Sequence, residues 1–167
     1  MGRGFIEYNL PASGRWEFVA YSAFLTYRME GGTLPVDQQP AWCPACLCFV
    51  LAERLPEVAE LERSLAAVLG GERKQQLDVL GRSVEQEASE LTRRIAWRRG
   101  RRSPPRCLHC GSDDVTPLPI ANDFSHPATG ERVVVTSSGF AVMRTWVAEF
   151  SPEGILLSGA DFIPNLD

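Results

Sequence analysis

Alternating and helical patterns of apolar residues predict strands at both ends of the chain and helices in its middle. Residues 5–8 form a short, largely apolar run, which we expect to be a strand. Between residues 15 and 28 apolar and polar positions alternate, which favours a strand, although the spacing of Phe18, Tyr21 and Leu25 also fits a helix. We expect the many aromatic residues of this part of the chain to pack in the core.

The next two segments differ sharply in polarity. Glycine, proline and polar residues dominate residues 31–40, which indicates a loop. Residues 47–55 are strongly apolar, and we expect them to form a helix that ends before Pro56.

Residues 57–102 carry the most regular helical pattern. A first helix is predicted from about Glu57 to the glycine pair at 70–71, because apolar residues recur every three or four positions. A second helix is predicted over residues 72–99, with acidic residues early and arginines at its end, an order that complements the helix dipole. We expect the two helices to form an antiparallel hairpin.

Strands return after this helical region. Residues 131–136 include a run of valines and are predicted to form a strand, and residues 140–150 to form one further strand or two. The sequence Ser-Pro-Glu-Gly at 151–154 indicates a turn, after which residues 155–157 are expected to pair back as a hairpin.

The overall composition is that of an ordinary globular protein. Of the 167 residues, 44% are hydrophobic and 23% are charged, and the net charge is −4. We therefore expect one domain, residues 1–167, without the global basic character typical of nucleic-acid binding. No stretch approaches the ~18–20 apolar residues of a membrane span, and the N-terminus lacks the apolar run of a secretory signal. These features predict a cytoplasmic protein.

Two Cys-x-x-Cys turns provide the strongest chemical signal. They consist of Cys43 with Cys46 and of Cys107 with Cys110, and sixty residues separate them. Two such turns brought together present four thiolates, which suits Zn²⁺ in tetrahedral coordination and leaves no position for a catalytic water. In the cytoplasm this pattern favours a metal over disulfides. The sequence therefore predicts a structural zinc ion, and the fifth cysteine, Cys48, is expected to be a small buried residue at the start of a helix.

The second turn, Arg-Cys-Leu-His-Cys-Gly-Ser at 106–112, resembles a knuckle of the zinc-ribbon family. The first turn is similar, but Leu47 stands where that family usually has glycine, and the gap between the turns is longer than usual. The resemblance implies structural zinc in a β-rich surround and carries no activity. We predict an α+β fold: a zinc-ribbon-like core, flanking antiparallel strands, and a helical hairpin, residues 57–102, inserted between the two metal knuckles.

An arginine run is the second chemical signal. It extends from Arg93 to Arg106, holds seven arginines and no acidic residue, and includes Trp97. Arginines beside an aromatic ring can hold phosphates and stack on a base. The residues of this alternative are Arg94, Trp97, Arg98, Arg99, Arg101 and Arg102. The other interpretation is internal compensation, because residues 107–167 carry eight acidic residues against two arginines.

Few residues suggest catalysis. Asp123, Ser125 and His126 are residue types found in hydrolytic sites, but their closeness in sequence says little about geometry. We therefore expect that the protein is not an enzyme. The predicted function is that of a non-catalytic, zinc-stabilised binding protein, an adaptor or inhibitor that contacts another protein. The alternative is a nucleic-acid-binding regulator.

Overall fold

A computed structural model describes residues 2–22, 24–142 and 147–159, and this part of the chain has a mixed α+β architecture with three sheets and three helices. The strands, in chain order, are β1 (Gly2–Leu10), β2 (Arg15–Ala20), β3 (Phe24–Met29), β4 (Gly32–Pro35), β5 (Gln38–Cys43), β6 (Cys48–Glu53), β7 (Thr116–Pro117), β8 (Phe124–Ser125), β9 (Arg132–Val142), β10 (Val147–Phe150) and β11 (Leu156–Ser158). The helices α1 (Val58–Leu69), α2 (Lys74–Val79) and α3 (Val84–Gly100) lie between β6 and β7 in the chain.

The three sheets have different strand orders. The first sheet has the order β2-β1-β9-β8, the second β11-β10-β3-β4, and the third β6-β5-β7. All described strand pairs are antiparallel except β3 with β10, which are parallel. The strands predicted at 5–8 and 131–136 are confirmed, and residues 15–28 form β2 and β3 and no helix.

One apolar core joins all three sheets and the end of α3. Because successive side chains of a strand point to opposite faces, alternate residues of β1 enter this core, namely Ile6, Tyr8 and Leu10. The third sheet contributes Trp42 and Phe49, and α3 contributes Trp97. The cysteine-bearing sheet is therefore attached to the main core through large aromatic side chains.

Two segments differ from their predicted structure. Residues 31–40, predicted as a loop, contain β4 and the start of β5. Residues 47–55, predicted as a helix, contain β6, in which Phe49, Val50 and Leu51 are all buried. A strand buried on both faces is continuously apolar, and periodicity alone does not separate it from a buried helix.

The helix predicted over residues 72–99 is two helices. Gly81 has a φ of 65° and interrupts the helical path. Ser83 then begins α3 with a capping box, in which its hydroxyl accepts the Gln86 N–H and its own N–H donates to the Gln86 side chain. The three helices share a second apolar core, made of Leu61, Val68, Leu77, Leu91 and Ile95. The hairpin arrangement and the insertion of residues 57–102 into one domain, residues 1–167, stay predictions.

The predicted turn at 151–154 is present near the end of the described chain. The Gly154 N–H donates to the Ser151 carbonyl at 2.9 Å, and β11 pairs antiparallel with β10. The region predicted as one or two strands, residues 140–150, contains the end of β9 and all of β10, while residues 143–146 lie outside the described part.

Candidate metal centre

Four cysteine side chains meet beside the third sheet. The Sγ atoms of Cys43, Cys46, Cys107 and Cys110 all lie within 4.8 Å of one another. The Sγ of Cys43 is 3.6 Å from that of Cys110, and the Sγ of Cys46 is 3.8 Å from that of Cys107. Each of these close pairs joins one turn to the other. The four cysteines therefore form a cluster with metal-binding spacing, and their role as metal ligands stays a prediction.

The sulfur spacing fits tetrahedral coordination. With metal–sulfur bonds of ~2.3 Å, the edges of a regular tetrahedron are about 3.8 Å long, and the two close Sγ pairs measure 3.6 and 3.8 Å. A disulfide needs ~2.05 Å, and all the cysteines are free thiols. The group contains no carboxylate or imidazole from the described residues. A set of four soft sulfur donors suits zinc.

The two turns share the same backbone geometry. The Leu47 N–H donates to the Cys43 carbonyl, and the Gly111 N–H donates to the Cys107 carbonyl, both at 2.9 Å. The residue after the second cysteine has a positive φ in each turn, 54° at Leu47 and 77° at Gly111. Leu47 is the one non-glycine residue with a positive φ in the described ranges. The first turn therefore holds leucine in a conformation that is more costly for it than for glycine.

Strand pairing brings the two turns together although they are distant in the chain. The first turn closes the hairpin of β5 and β6. The second turn is attached to β6 by a bridge between Ala52 and Cys107 and by the Leu108 N–H, which donates to the Leu51 carbonyl at 3.0 Å. The chain then reaches the opposite edge of β5, where β7 pairs. This pairing on β6 and β5 places Cys107 and Cys110 beside the hairpin turn that holds Cys43 and Cys46.

Burial makes two thiols of the cluster, those of Cys46 and Cys107, hard to ionise. Burial raises the pKa of the Cys107 thiol to about 12, and burial followed by hydrogen bonding with Cys110 raises the pKa of Cys46. At Cys110 burial also acts upward, but hydrogen bonds from the Ser112 backbone and from the neighbouring thiols lower its pKa overall. A divalent cation bound to these thiols would favour their deprotonated form, because a coordinated thiol is deprotonated outright.

Cys48 is not where the sequence predicted it. It is the first residue of β6, and not of a helix, and it pairs across the hairpin with Cys43. It is half-buried and packs beside the ligand cluster without belonging to it. Burial raises the pKa of its thiol.

Two of the six residues proposed for nucleic-acid binding, Trp97 and Arg101, are buried. Trp97 is 8% exposed, its ring centre lies 4.6 Å from that of Tyr27, and its Nε1–H donates to the Pro152 carbonyl at 2.9 Å. Arg101 is 4% exposed, and its guanidinium donates to the two carboxylate oxygens of Glu53 at 2.8 and 2.6 Å. Neither side chain is presented to solvent in this fold.

The other four arginines of that alternative lie nearer the surface. Arg94 forms an ion pair with Asp37, and Arg99 forms one with Glu62 at 2.5 Å. The Arg98 Nε–H donates to the Pro56 carbonyl at 2.9 Å. Arg102 is exposed, and its side chain makes no hydrogen bond or ion pair within the described residues. The acidic partners Asp37, Glu53 and Glu62 precede the run, whereas the sequence pointed to residues 107–167.

His126 has a structural environment. It is 3% exposed, its Nδ1 accepts the N–H groups of Ala128 and Thr129 at 3.1 and 3.2 Å, and its ring packs against Trp42 and Phe49. The described contacts include no hydrogen bond from it to Asp123 or Ser125, and the Asp123 carboxylate is paired with Arg132 at 2.6 Å. Burial lowers the pKa of the imidazole. The hydrolytic interpretation gains no support here.

Glu53 is an important residue that the sequence analysis missed. It is fully buried, and its carboxylate accepts hydrogen bonds from the Tyr27 hydroxyl at 2.7 Å, from Arg101, and from the Arg106 N–H at 2.8 Å. It therefore links the residue before Cys107 to the end of α3. An acidic residue inside a strongly apolar run was the available signal, because carboxylates are rarely buried without a partner.

Comparisons with protein-family models, with curated proteins and with solved structures gave no match for this chain. In the part of the chain that the structure describes, the helices lack the length and apolar character needed to cross a membrane. The geometry of the cysteine cluster is therefore the main guide to function.

Proposed function

We propose that the four cysteines hold a structural zinc ion and that the protein is a non-catalytic binding protein whose partner is another protein. The observation that carries this proposal is the cluster of four Sγ atoms within 4.8 Å. Four protein ligands fill a tetrahedral zinc site, so no position remains for water or substrate. Such an ion would stabilise the fold, by ~10 kcal/mol or more in small zinc modules.

A zinc-ribbon-like core is part of this proposal. Its support is the shared backbone geometry of the two turns, with a left-handed residue after the second cysteine of each. The first turn joins two antiparallel strands, and the strand that follows the second turn pairs into the same sheet.

Native mass spectrometry tests the metal, with Cys48→Ser as a matched control for Cys107→Ser. Both variants lose one thiol near the cluster, but only Cys107 belongs to the four ligands. We expect one zinc ion per chain in the wild type and in Cys48→Ser, and none in Cys107→Ser. A folded wild-type protein that carries no metal after purification with zinc present would refute the proposal.

The helical segment is the proposed contact surface for a protein partner. Three large apolar side chains are strongly exposed at the ends of α1 and α2, namely Leu69 at 65%, Val79 at 83% and Leu80 at 62%. Contiguous exposed apolar patches mark interaction surfaces, and the proposal is that these three side chains belong to one. An adaptor or an inhibitor would present such a surface from a scaffold held by zinc.

Quantitative affinity capture with the zinc-loaded chain tests this surface. The double variant Val79→Ser with Leu80→Ser is compared with Val147→Ser, which removes a strongly exposed valine, 64% exposed, from a strand. A partner protein retained by the wild type and by Val147→Ser, but lost with the double variant, supports the proposal. A partner retained equally by all three proteins contradicts it.

The nucleic-acid alternative has no comparable observation in its favour, since Trp97 and Arg101 are both buried. A salt titration decides it, because contacts to phosphates weaken steeply as salt increases. Absence of nucleic-acid binding at ~50 mM salt would exclude this alternative.

A further inference from the structure

A second candidate site lies between the start of α1 and the end of α3. It is a pocket of about 520 Å³, lined mainly by residues between 54 and 60 and between 98 and 105. Its walls combine arginines with apolar side chains such as Leu55, Pro104 and Pro105. The cysteine cluster contributes nothing to this pocket, so the inference is independent of the metal.

Two arginines give the pocket unpaired positive charge. The Arg98 Nε–H donates to the Pro56 carbonyl at 2.9 Å, which orients the guanidinium. Its two terminal amino groups have no acceptor within the described residues. Arg102 is exposed and makes no side-chain hydrogen bond or ion pair there. A guanidinium held through Nε still offers N–H groups in the planar fork that matches an oxyanion.

The remaining charges of the pocket are largely compensated. Arg101 is bound to Glu53 beneath the surface, and Arg54 is paired with Glu60 at 2.5 Å. Glu57 is the N-cap residue of α1, and its side chain makes no capping hydrogen bond. The pocket therefore has two unpaired guanidinium groups against one unpaired carboxylate.

We propose that this pocket binds a single phosphate-sized oxyanion group, carried by a small molecule or by one phosphorylated side chain of a partner. The positive surplus and the fixed Arg98 fork would hold the oxyanion. The apolar walls would contact the organic group that carries it. The small pocket and the chain's net charge of −4 oppose a long polyanion such as nucleic acid.

Isothermal titration of the zinc-loaded full chain tests the site at pH 7.5 and ~50 mM salt, where a phosphate monoester is mostly a dianion. The probes are inorganic phosphate, phenyl phosphate, benzoate, a phosphoserine peptide and a single-stranded oligonucleotide. We expect phenyl phosphate to bind more tightly than benzoate. If the phosphoserine peptide binds more tightly than phenyl phosphate, the oxyanion is assigned to a partner protein. If phenyl phosphate binds more tightly than the peptide, the oxyanion is assigned to a small molecule.

Three matched variants locate the binding. Arg102→Gln is expected to weaken phenyl phosphate binding about tenfold, because a charge-assisted contact is lost. Glu57→Gln is expected to strengthen it about threefold, because a competing surface carboxylate is removed. Arg99→Gln is the control, because it removes one positive charge, as Arg102→Gln does, from an arginine that does not line the pocket. It should leave the affinity for phenyl phosphate unchanged.

Several results would overturn this site. They are absence of phosphate binding at 20 mM probe (about twenty times a weak, millimolar Kd), equal losses with Arg99→Gln and Arg102→Gln, or tighter binding of benzoate than of phenyl phosphate. Tighter binding of the oligonucleotide, lost equally with both arginine variants, would assign the charge to nucleic acid instead. Thermal unfolding of each variant verifies that it is folded.

Discussion

Leu47 occupies a backbone conformation that glycine adopts at lower cost, so Leu47→Gly is expected to stabilise the zinc-loaded protein. Its φ is 54°, the left-handed region that Gly111 occupies in the second cysteine turn. For an L-residue this region costs roughly 1–2 kcal/mol. The side chain is 72% exposed, so its removal takes little apolar contact from the folded state.

The net effect is the difference between two opposing contributions. Glycine removes the left-handed strain of roughly 1–2 kcal/mol, but it makes the unfolded chain more flexible, which costs roughly 0.5–1 kcal/mol. We therefore expect Leu47→Gly to raise the free energy of unfolding by about 0.5–1 kcal/mol. The reciprocal change, Gly111→Leu, is expected to lower it by a similar amount, since a Cβ at Gly111 meets no atom within 4 Å and only the backbone conformation opposes it.

Urea unfolding at a fixed free zinc concentration measures these changes, because bound metal adds to apparent stability. The control is Leu80→Gly, which also replaces an exposed leucine, 62% exposed, but at a right-handed position with a φ of −83°. There glycine brings only the entropy cost, so stability should fall by about 0.5–1 kcal/mol. Equal losses in Leu47→Gly and Leu80→Gly would show that the left-handed strain at Leu47 has no energetic consequence.

Two further predictions concern buried groups. A Cβ at Gly154 would lie 2.6 Å from both carboxylate oxygens of Glu53 and 2.8 Å from Arg101, so Gly154→Ala should destabilise by about 3 kcal/mol or more through the disturbed buried pair. Gly14→Ala, at a similar φ of 68° with nothing within 4 Å, should cost only about 1 kcal/mol in urea unfolding, from left-handed strain partly offset by a less flexible unfolded chain, and equal costs would contradict the reasoning. His126 has a lowered pKa in the fold, so the unfolded chain binds the proton more readily and stability should decrease as the pH falls below about 6.5. His126→Asn keeps a side-chain acceptor for the two backbone N–H groups but does not titrate, so its unfolding free energy should depend less on pH. If the wild type and His126→Asn show the same slope of unfolding free energy between pH 7.5 and 6, His126 does not cause the loss of stability.

The sequence predicted best where neighbouring residues form the structure. The amphipathic pattern after Glu57 identified α1, because a helix face repeats within a few residues. The same reasoning joined α2 and α3 into one helix, since the apolar spacing continues through Gly81. The break was visible in another local signal, the capping box of Ser83 and Gln86.

Prediction failed where pairing with distant strands decides the outcome. The apolar run that contains Phe49 and Leu51 could become a buried helix or a buried strand. It is a strand because β5 pairs along its full length. Likewise Trp97 and Arg98 belong to one basic run, yet one is in the core and the other lines a surface pocket. The orientation of α3 against the sheets, and not residue type, separates them.

The sequence by itself determined the two halves of the cysteine cluster, because each Cys-x-x-Cys turn is built from residues adjacent in the chain. It also determined the left-handed glycine at 111, whose missing Cβ permits that turn. Only the tertiary structure decided that Cys43 and Cys110 lie 3.6 Å apart, since the pairing of β6 with the second turn spans the helical segment. The buried pair of Glu53 with Arg101 depends on the same long-range packing. Contacts between residues far apart in sequence are stable only in the complete fold, because their formation must offset the entropy of closing long loops.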